Sequence, residues 1–525
     1  MVTDRVDVDV DDVEADPRRW LILVVLCLSL FMVVMGNTVL NIALPEISDA
    51  LNATASQLQW MVDAYSLVFA GLLFTAGSLG DRFGRKGALA GGLVVFGLGS
   101  FSATLAESAD GVIAARAIMG LGAAFVMPAT LSILTHVFPP QERAKAIGAW
   151  AGVAGAAGAV GPVTSGWLLE HFDWPSVFWL NVPVVVVALV AGAVLVPRSR
   201  HPDRVPLDPV GALLSVGMIG SLVYAVIEAP VYGWTDPLIL AGFAVAAGLL
   251  AAFVAWELRH AHPMLDVRLF RTGGFTGGSL AIAMMFFGMF GLFFLLTQYL
   301  QLVRDYTALQ AGIRTLPFAL AMMVAAPSSA HLAARFGTRR VVTGGMATAG
   351  TGMALLALTA GVGSSYLLLA VCLVVLASGM GLTMAPATAT IMASLPHEKA
   401  GVGSAMNDTN RELGGALGVA VIGSLASTLY ASSVREALPS LPTDVGDRVA
   451  SSLSEALRVA SEAGVDGGAV VSAARLAFVD AMSWALGLGA AVILVGAVVV
   501  RLVIPARPPV AAEPTSAVEP RPAPR

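Results

Sequence analysis

Charge is what this 525-residue chain has little of: 12% of its residues are Asp, Glu, Lys or Arg, against about 25% in a soluble domain. Half the usual charge cannot cover a water-facing surface of this length. A soluble enzyme, a nucleic-acid binder and a disordered protein are thereby excluded. Cysteine is nearly missing too. Cys27 and Cys372 both lie inside apolar runs, so a disulfide framework is excluded and a metal site has no support. The sequence has no Ser/His/Asp, HExxH or CxxC pattern and no Walker loop, leaving hydrolysis and ATP drive without a residue set. Catalytic residues, metal ligands and cofactors are accordingly expected to be none. Of the 30 basic residues only Lys86, Lys145 and Lys399 are lysine.

What the chain does have is apolar length. It is 57% hydrophobic, with a mean hydropathy of +0.80. Lipid admits only helices or closed barrels. The apolar runs last about 20 residues, the length of a spanning helix, and lack the alternation of barrel strands. The expected fold class is therefore an all-α polytopic membrane protein. Fourteen spans are expected, near 20–44, 60–79, 87–105, 111–134, 147–169, 177–197, 209–229, 237–257, 275–302, 315–334, 341–361, 366–393, 401–428 and 480–504.

An even count puts both termini on one side. The short loops on that side carry Arg82, Arg85, Lys86, Arg143, Lys145, Arg335, Arg339, Arg340, Lys399 and others; the opposite short loops carry Arg304 and Arg314. The positive-inside rule then places both termini in the cytoplasm of a bacterial plasma membrane. Residues 1–18 are crowded with Asp and Glu and read as a solvated tail, since a secretory signal starts positive. Residues 505–525 read as a Pro/Ala-rich tail, and 429–479 as a long external loop with a surface helix.

The chain also repeats itself. GSLGDRFGRK at 77–86 returns as AHLAARFGTR at 330–339, MPAT at 127–130 as APAT at 385–388, and PQERA at 140–144 as PHEKA at 396–400. These matches predict a six-helix half at 19–200, an inserted helix pair at 201–262 and a second six-helix half at 263–504. Two facing halves are the layout of an alternating-access carrier, with its site between them.

Four stretches resemble the major facilitator superfamily, and within it the fourteen-helix drug:proton antiporters. They are GSLGDRFGRKGAL at 77–89, RAIMGLGAA at 116–124, GPVTSG at 161–166 and GNTVLNIALP at 36–45. The resemblance covers Trp20 to about Ile504. It implies a secondary transporter, with Gly77, Asp81, Arg82, Gly84, Arg85 and Lys86 as the latch of an inner gate. It also implies an antiporter helix carrying Gly158, Gly161, Pro162 and Gly166, with Ser165 where the first of the final glycines is usual. That class usually has Asp where this chain has Asn37. Asn cannot titrate, so proton coupling must rest elsewhere.

Ionisable groups inside a membrane are functional candidates. Asp63 and Arg116 lie at similar heights in the second and fourth spans, which suggests a proton-coupling pair, with Asn37 and Asn41 on one face of the first span nearby. The thirteenth span opens with Asp408, Arg411 and Glu412 at i, i+3 and i+4, about 10–17 Å from its start at 1.5 Å per residue. In the ninth, Phe287, Phe290 and Phe294 share a face, which suits either a pocket for apolar cations or a lipid-facing stripe. The leading expectation is proton-coupled efflux of amphipathic small molecules by a monomer, without nucleic-acid partners. A proton-coupled metabolite symporter and a non-transport scaffold are the alternatives.

Overall fold

The computed structural model describes residues 17–197, 208–261, 263, 265–395, 400–461 and 467–505. Both tails, the linker at 198–207 and some side chains within helices, those of Asn37 and Asp81 included, lie outside the described residues. The described residues form fourteen long helices: α1 Arg19–Leu51, α2 Ala55–Phe83, α3 Arg85–Thr104, α4 Ala109–Val137, α5 Pro140–His171, α6 Asn181–Leu195, α7 Pro209–Tyr232, α8 Pro237–Arg259, α9 Gly273–Gln298, α10 Leu316–Phe336, α11 Thr338–Thr359, α12 Tyr366–Ala393, α13 Ala400–Ala437 and α14 Gly467–Val503. Twelve spans among the described residues are long and apolar enough to cross a membrane; the other two long helices, α2 and α5, have 29 and 32 residues.

Chain punctuation explains most boundaries. Thr54 caps α2 with a capping box to Gln57, supplying two partners to backbone groups the first turn leaves open. Asp208 and Asp236 cap α7 and α8, each followed by a proline at the first helical position. Gly84 separates α2 from α3 at φ +124°, and Gly337 separates α10 from α11 at φ +88°. Those values suit glycine, and the two sites fall at matching places in the repeat.

The repeat also governs packing. Lipid offers no hydrophobic drive between helices, so small residues that let backbones approach carry the contacts. A Cβ on Gly92 would lie 2.8 Å from the Gly122 carbonyl where α3 crosses α4. One on Gly345 would lie 2.8 Å from the Gly379 carbonyl where α11 crosses α12. The inserted pair is asymmetric: α7 packs against both α2 and α13, whereas α8 packs mainly on α7.

The 429–479 segment differs from expectation. α13 continues to Ala437 and α14 begins at Gly467, so helix takes up both ends of the 429–479 stretch. Between them lie two short amphipathic helices, Thr443–Ser451 and Leu453–Ala460. Tyr430 donates to the carbonyls of Val449 and Ser452, holding this cap down. The added turns of α13 carry Ser432, Ser433, Arg435 and Glu436, which end its apolar run, and the added first turns of α14 carry Arg475.

Candidate functional site

We call the end of the bundle where α1 enters the terminal end, and the opposite one the distal end. The polar centre of the first half is Arg116, seven residues into α4 from the distal end and fully buried. Its Nε donates to the Met61 carbonyl at 2.9 Å and an Nη donates to the Gly36 carbonyl at 3.1 Å. The guanidinium lies 4.3 Å from the Tyr65 ring centroid, and the Tyr65 hydroxyl donates to the Val33 carbonyl. Arg116 thus ties α1, α2 and α4 together through carbonyl dipoles and a ring face.

The expected Asp63–Arg116 pair is not formed. Met61 and Tyr65, four residues apart, share the face of α2 that meets Arg116. Asp63 falls between them in sequence and so about 200° round the helix. It is fully buried, and neither carboxyl oxygen has a hydrogen-bond partner. Its neighbours on the α2 surface are Gln59, Trp60, Ser66 and Leu67, at three and four residues either side. Gln59 Oε1 accepts from Ser424 of α13 at 3.1 Å. Trp60 Nε1 donates to Glu228 of α7 at 2.9 Å, and Leu67 packs near Gly220 of α7. Asp63 therefore sits where α2, α7 and α13 converge. Matching heights made the pairing plausible; helical phase rules it out.

Across that junction, α13 presents the second polar cluster. Asp408 and Arg411 pair at 3.6 Å, and the Arg411 guanidinium lies 4.9 Å from the Phe286 ring centroid of α9. Asn407 accepts from Thr388 of α12 at 2.9 Å. Glu412 faces Ser66 of α2 and lies within electrostatic reach of Arg116. Ser66 lies three residues, about one turn, along α2 from Asp63. Unmet hydrogen-bonding capacity concentrates here: Ser66 Oγ, Thr409 Oγ1, the Asn410 amide nitrogen, Arg411 Nε and Glu412 Oε2 are all buried without a hydrogen-bond partner.

The α5 motif joins two seams. Gly161 meets α1, where a Cβ would lie 2.1 Å from Thr38 Oγ1, and Ser165 donates to the Val39 carbonyl at 2.8 Å. The Pro162 carbonyl and Gly166 meet the short helix Ala308–Arg314: a Cβ on Gly312 would lie 2.3 Å from the Pro162 oxygen, and one on Gly166 2.4 Å from Leu309 Cα. Ser165 therefore fills a usual glycine position with a bonded hydroxyl. Gly158 is different, since a Cβ there would meet nothing within 4 Å; the close groove expected along this helix does not extend to it.

At the terminal end, Lys86 donates to the Ala193 and Val196 carbonyls, both at 2.7 Å, and Arg85 reaches the Ser132 carbonyl. Arg82 rests 5.4 Å from the Phe83 ring centroid, and Gly77 is in ordinary contact with Pro128. The basic residues of this loop thus cap the ends of α6 and α4.

The aromatic face of α9 turns towards α13. Phe290 packs on Gly415, Phe294 reaches Gly423, and the Phe287 backbone abuts Gly418. The Phe290 and Phe294 rings thus meet α13. Asn41 is buried beside Ile42, whose carbonyl accepts from Gln301 of the second half at 2.8 Å. A further bond at this end runs from Thr307 to Glu170. These distal contacts flank a cavity of about 820 Å³ lined by Glu46, Asp49, Glu170, Gln301, Tyr306 and Arg458 among others. A hydrogen bond from Arg304 and the charge of Arg314 hold the Tyr306 phenol below its ordinary range.

Sequence reasoning missed Tyr65, Ser66, Gln59 and Phe286 because it weighed ionisable groups first. The available signal was phase: WMVDAYSL puts Met61 and Tyr65 on one face and Asp63 on another.

Comparison with known proteins identifies the family. The Major Facilitator Superfamily model matches residues 26–419. The chain is 36% identical to the multidrug efflux pump LfrA of Mycolicibacterium smegmatis, over 92% of this chain and 96% of that one. It is 33% identical to the tetracenomycin C resistance and export protein of Streptomyces glaucescens, covering 94% and 93%. Identity to the methyl viologen resistance protein SmvA of Salmonella typhimurium is 34%, covering 92% and 97%. Among solved structures, a bacterial homologue of the human lysosomal transporter Spinster superposes with a TM-score of 0.67 at 19% identity, covering 93% and 97%, a likeness of fold. On sequence and fold alike, this chain belongs to the Major Facilitator Superfamily and is a secondary transporter, not an enzyme.

Proposed function

We propose that the protein exports amphipathic small molecules across the bacterial plasma membrane in exchange for protons, as a monomer with both termini in the cytoplasm. The observation that carries the reading is Asp63: a fully buried carboxyl with no hydrogen-bond partner, at the contact between α2 and α13. An ionised carboxylate there has nothing to offset its lost hydration. Binding a proton removes that cost, so protonation and closure of this contact are linked. Glu412, beyond Ser66, is the second proton carrier, and Arg116 is a fixed positive field that the second half meets as it closes.

In this cycle the bonded distal seam, from Gly166 and Pro162 to Ala308–Arg314, is the closed outer gate. Substrate enters from the cytoplasm between the halves and meets the Arg411–Phe286 contact and Asn41. Opening the distal seam exposes the acidic vestibule of Glu46, Asp49 and Glu170, where an amphipathic cation leaves and protons enter. Asn37 belongs to this pathway by position. The latch of Gly77, Asp81, Arg82, Gly84, Arg85 and Lys86 governs the cytoplasmic gate by holding α2, α4 and α6 in register. Transfer of one proton down about 100 mV supplies about 2.3 kcal/mol, enough for about 50-fold accumulation of a neutral solute.

The test is transport by the purified protein in vesicles with an imposed proton gradient. A fluorescent amphipathic cation should be pumped while the gradient lasts and stop when an uncoupler collapses it. Pumping that continues without a gradient, with ATP supplied, would overturn the proposal.

A further inference from the structure

The inserted pair covers the outside of the α2–α13 contact: α7 packs on both helices, and α8 lies mainly on α7. The two faces of α7 differ in kind. Val216, Gly220, Tyr224 and Glu228, four residues apart, form the row that meets α2. Against them α2 sets Gly71, Leu67 and Trp60, in antiparallel order. A Cβ on Gly71 would lie 2.5 Å from Val216 Cγ2, so the two helices approach closely there, and Leu67 lies beside Gly220. The Trp60 and Tyr224 ring centroids are 6.3 Å apart. Trp60 Nε1 donates to Glu228 Oε1 at 2.9 Å, and the Ser56 hydroxyl donates to the same oxygen at 3.5 Å. The next row of α7 is Ile219, Val223 and Ile227. With Val226 it packs in one apolar cluster with Leu413, Leu417, Ala420 and Val421 of α13, which Trp60 and Leu67 border. Ser215 extends that row, and its hydroxyl turns back to the Ala212 carbonyl of its own helix at 2.9 Å.

A hydrogen bond broken inside lipid has no water to replace it. Apolar side chains, by contrast, gain little from one apolar neighbour over another, because lipid tails are as apolar as leucine. The α2 side of α7 is therefore an attachment, and the α13 side is a surface that slips. A cover bonded to both helices would tie them together. One bonded to neither would leave Asp63, fully buried at this junction, open to the bilayer when they part. We propose that Glu228 and Trp60 are positioning residues that fix the inserted pair to α2, so that α7 slides over α13 as a shutter and keeps their contact sealed from lipid. The sliding rests on the proposed parting of α2 and α13 during transport. It is a shear of packed helices: the spacing of α7 from α2 is constant, and its spacing from α13 follows that of α2 from α13.

Pulsed EPR distances on the full-length protein in lipid nanodiscs test this without a transport assay. In a Cys27→Ala, Cys372→Ala background, spin labels are placed in pairs at the distal ends of the three helices, through Ala55→Cys on α2, Tyr232→Cys on α7 and Ser432→Cys on α13. Distances are read at acidic and alkaline pH, with and without tetraphenylphosphonium. The expected result is an α2–α7 distance that is the same in every condition, with α2–α13 and α7–α13 distances that shift together by several ångströms. In Glu228→Leu the α2–α7 distance should become broad and condition-dependent. Should that variant fold poorly, Trp60→Phe removes the same hydrogen bond. An α7–α13 distance that stays constant while α2–α7 shifts would overturn the proposal, as would unaltered α2–α7 distances in the variants. An α2–α13 distance that never changes would overturn the parting of the two helices as well, and that pair alone tells the two failures apart.

Discussion

The α2–α4 contact and the α2–α13 contact lie on opposite faces of one helix, and their polar groups are treated in opposite ways. Against α4, Arg116 is tied to two carbonyls and a ring, and Tyr65 to a third carbonyl. Against α13, Gln59 and Ser424 form one side-chain bond, while Asp63, Ser66, Thr409 and Glu412 keep buried atoms without partners. The first contact lies within a half and the second between halves. Satisfied buried networks rigidify a structure, and unsatisfied ones are costly to keep. The difference teaches that α1, α2 and α4 are locked together, and that unmet bonding capacity is concentrated where α2 meets α13.

Breaking the locked side should have the largest effect. Arg116→Met removes the guanidinium from both carbonyls and from Tyr65. The expected loss is on the scale of about 3–5 kcal/mol seen when a buried charged network is broken, read as a large fall in the melting temperature of the detergent-purified protein. Near-normal stability would remove the claim that Arg116 locks the half.

The two α5 glycines sharpen the comparison next. Gly161→Leu forces a side chain onto Thr38 and should cost about 1–3 kcal/mol by overpacking, with most transport lost. Gly158→Ala meets nothing within 4 Å and should be silent in both assays. Equal behaviour of the two variants would argue against a seam confined to the distal part of the helix.

A smaller effect is expected within the moving contact. Arg411→Ala leaves Asp408 without its cation and uncovers the Phe286 ring. Export should shift towards cationic over neutral substrates by several-fold, since a positive charge has been taken from the pathway, with expression unchanged. An unaltered substrate profile would mark the Asp408–Arg411 pair as structural only.

Much of the architecture was legible in the sequence, because spanning helices and their repeat are written in hydropathy and in paired motifs. The RFG turns place Gly84 and Gly337, and GPVTSG is the stretch where α5 meets both halves. Height along a helix was legible too, which is why Asp63 and Arg116 were matched. Their rotational phase was the missing quantity. It depends on which neighbour each face meets, and α7, a helix far away in sequence, turned out to supply one wall around Asp63. The length of α13 was underestimated for a simpler reason: its last turns, with Ser432, Ser433, Arg435 and Glu436, lose the apolar pattern but keep their backbone bonds.

The central claim is that Asp63 carries the transported proton at the contact between halves. The most direct measurement compares wild type with Asp63→Asn in vesicles, reading proton-driven efflux and substrate–substrate exchange in the same preparation. The account predicts that Asp63→Asn abolishes driven efflux while exchange persists, because the amide keeps the contact neutral and cannot release a proton. Driven efflux at the wild-type rate in Asp63→Asn, together with its loss in Glu412→Gln, would contradict the assignment and move the proton to α13.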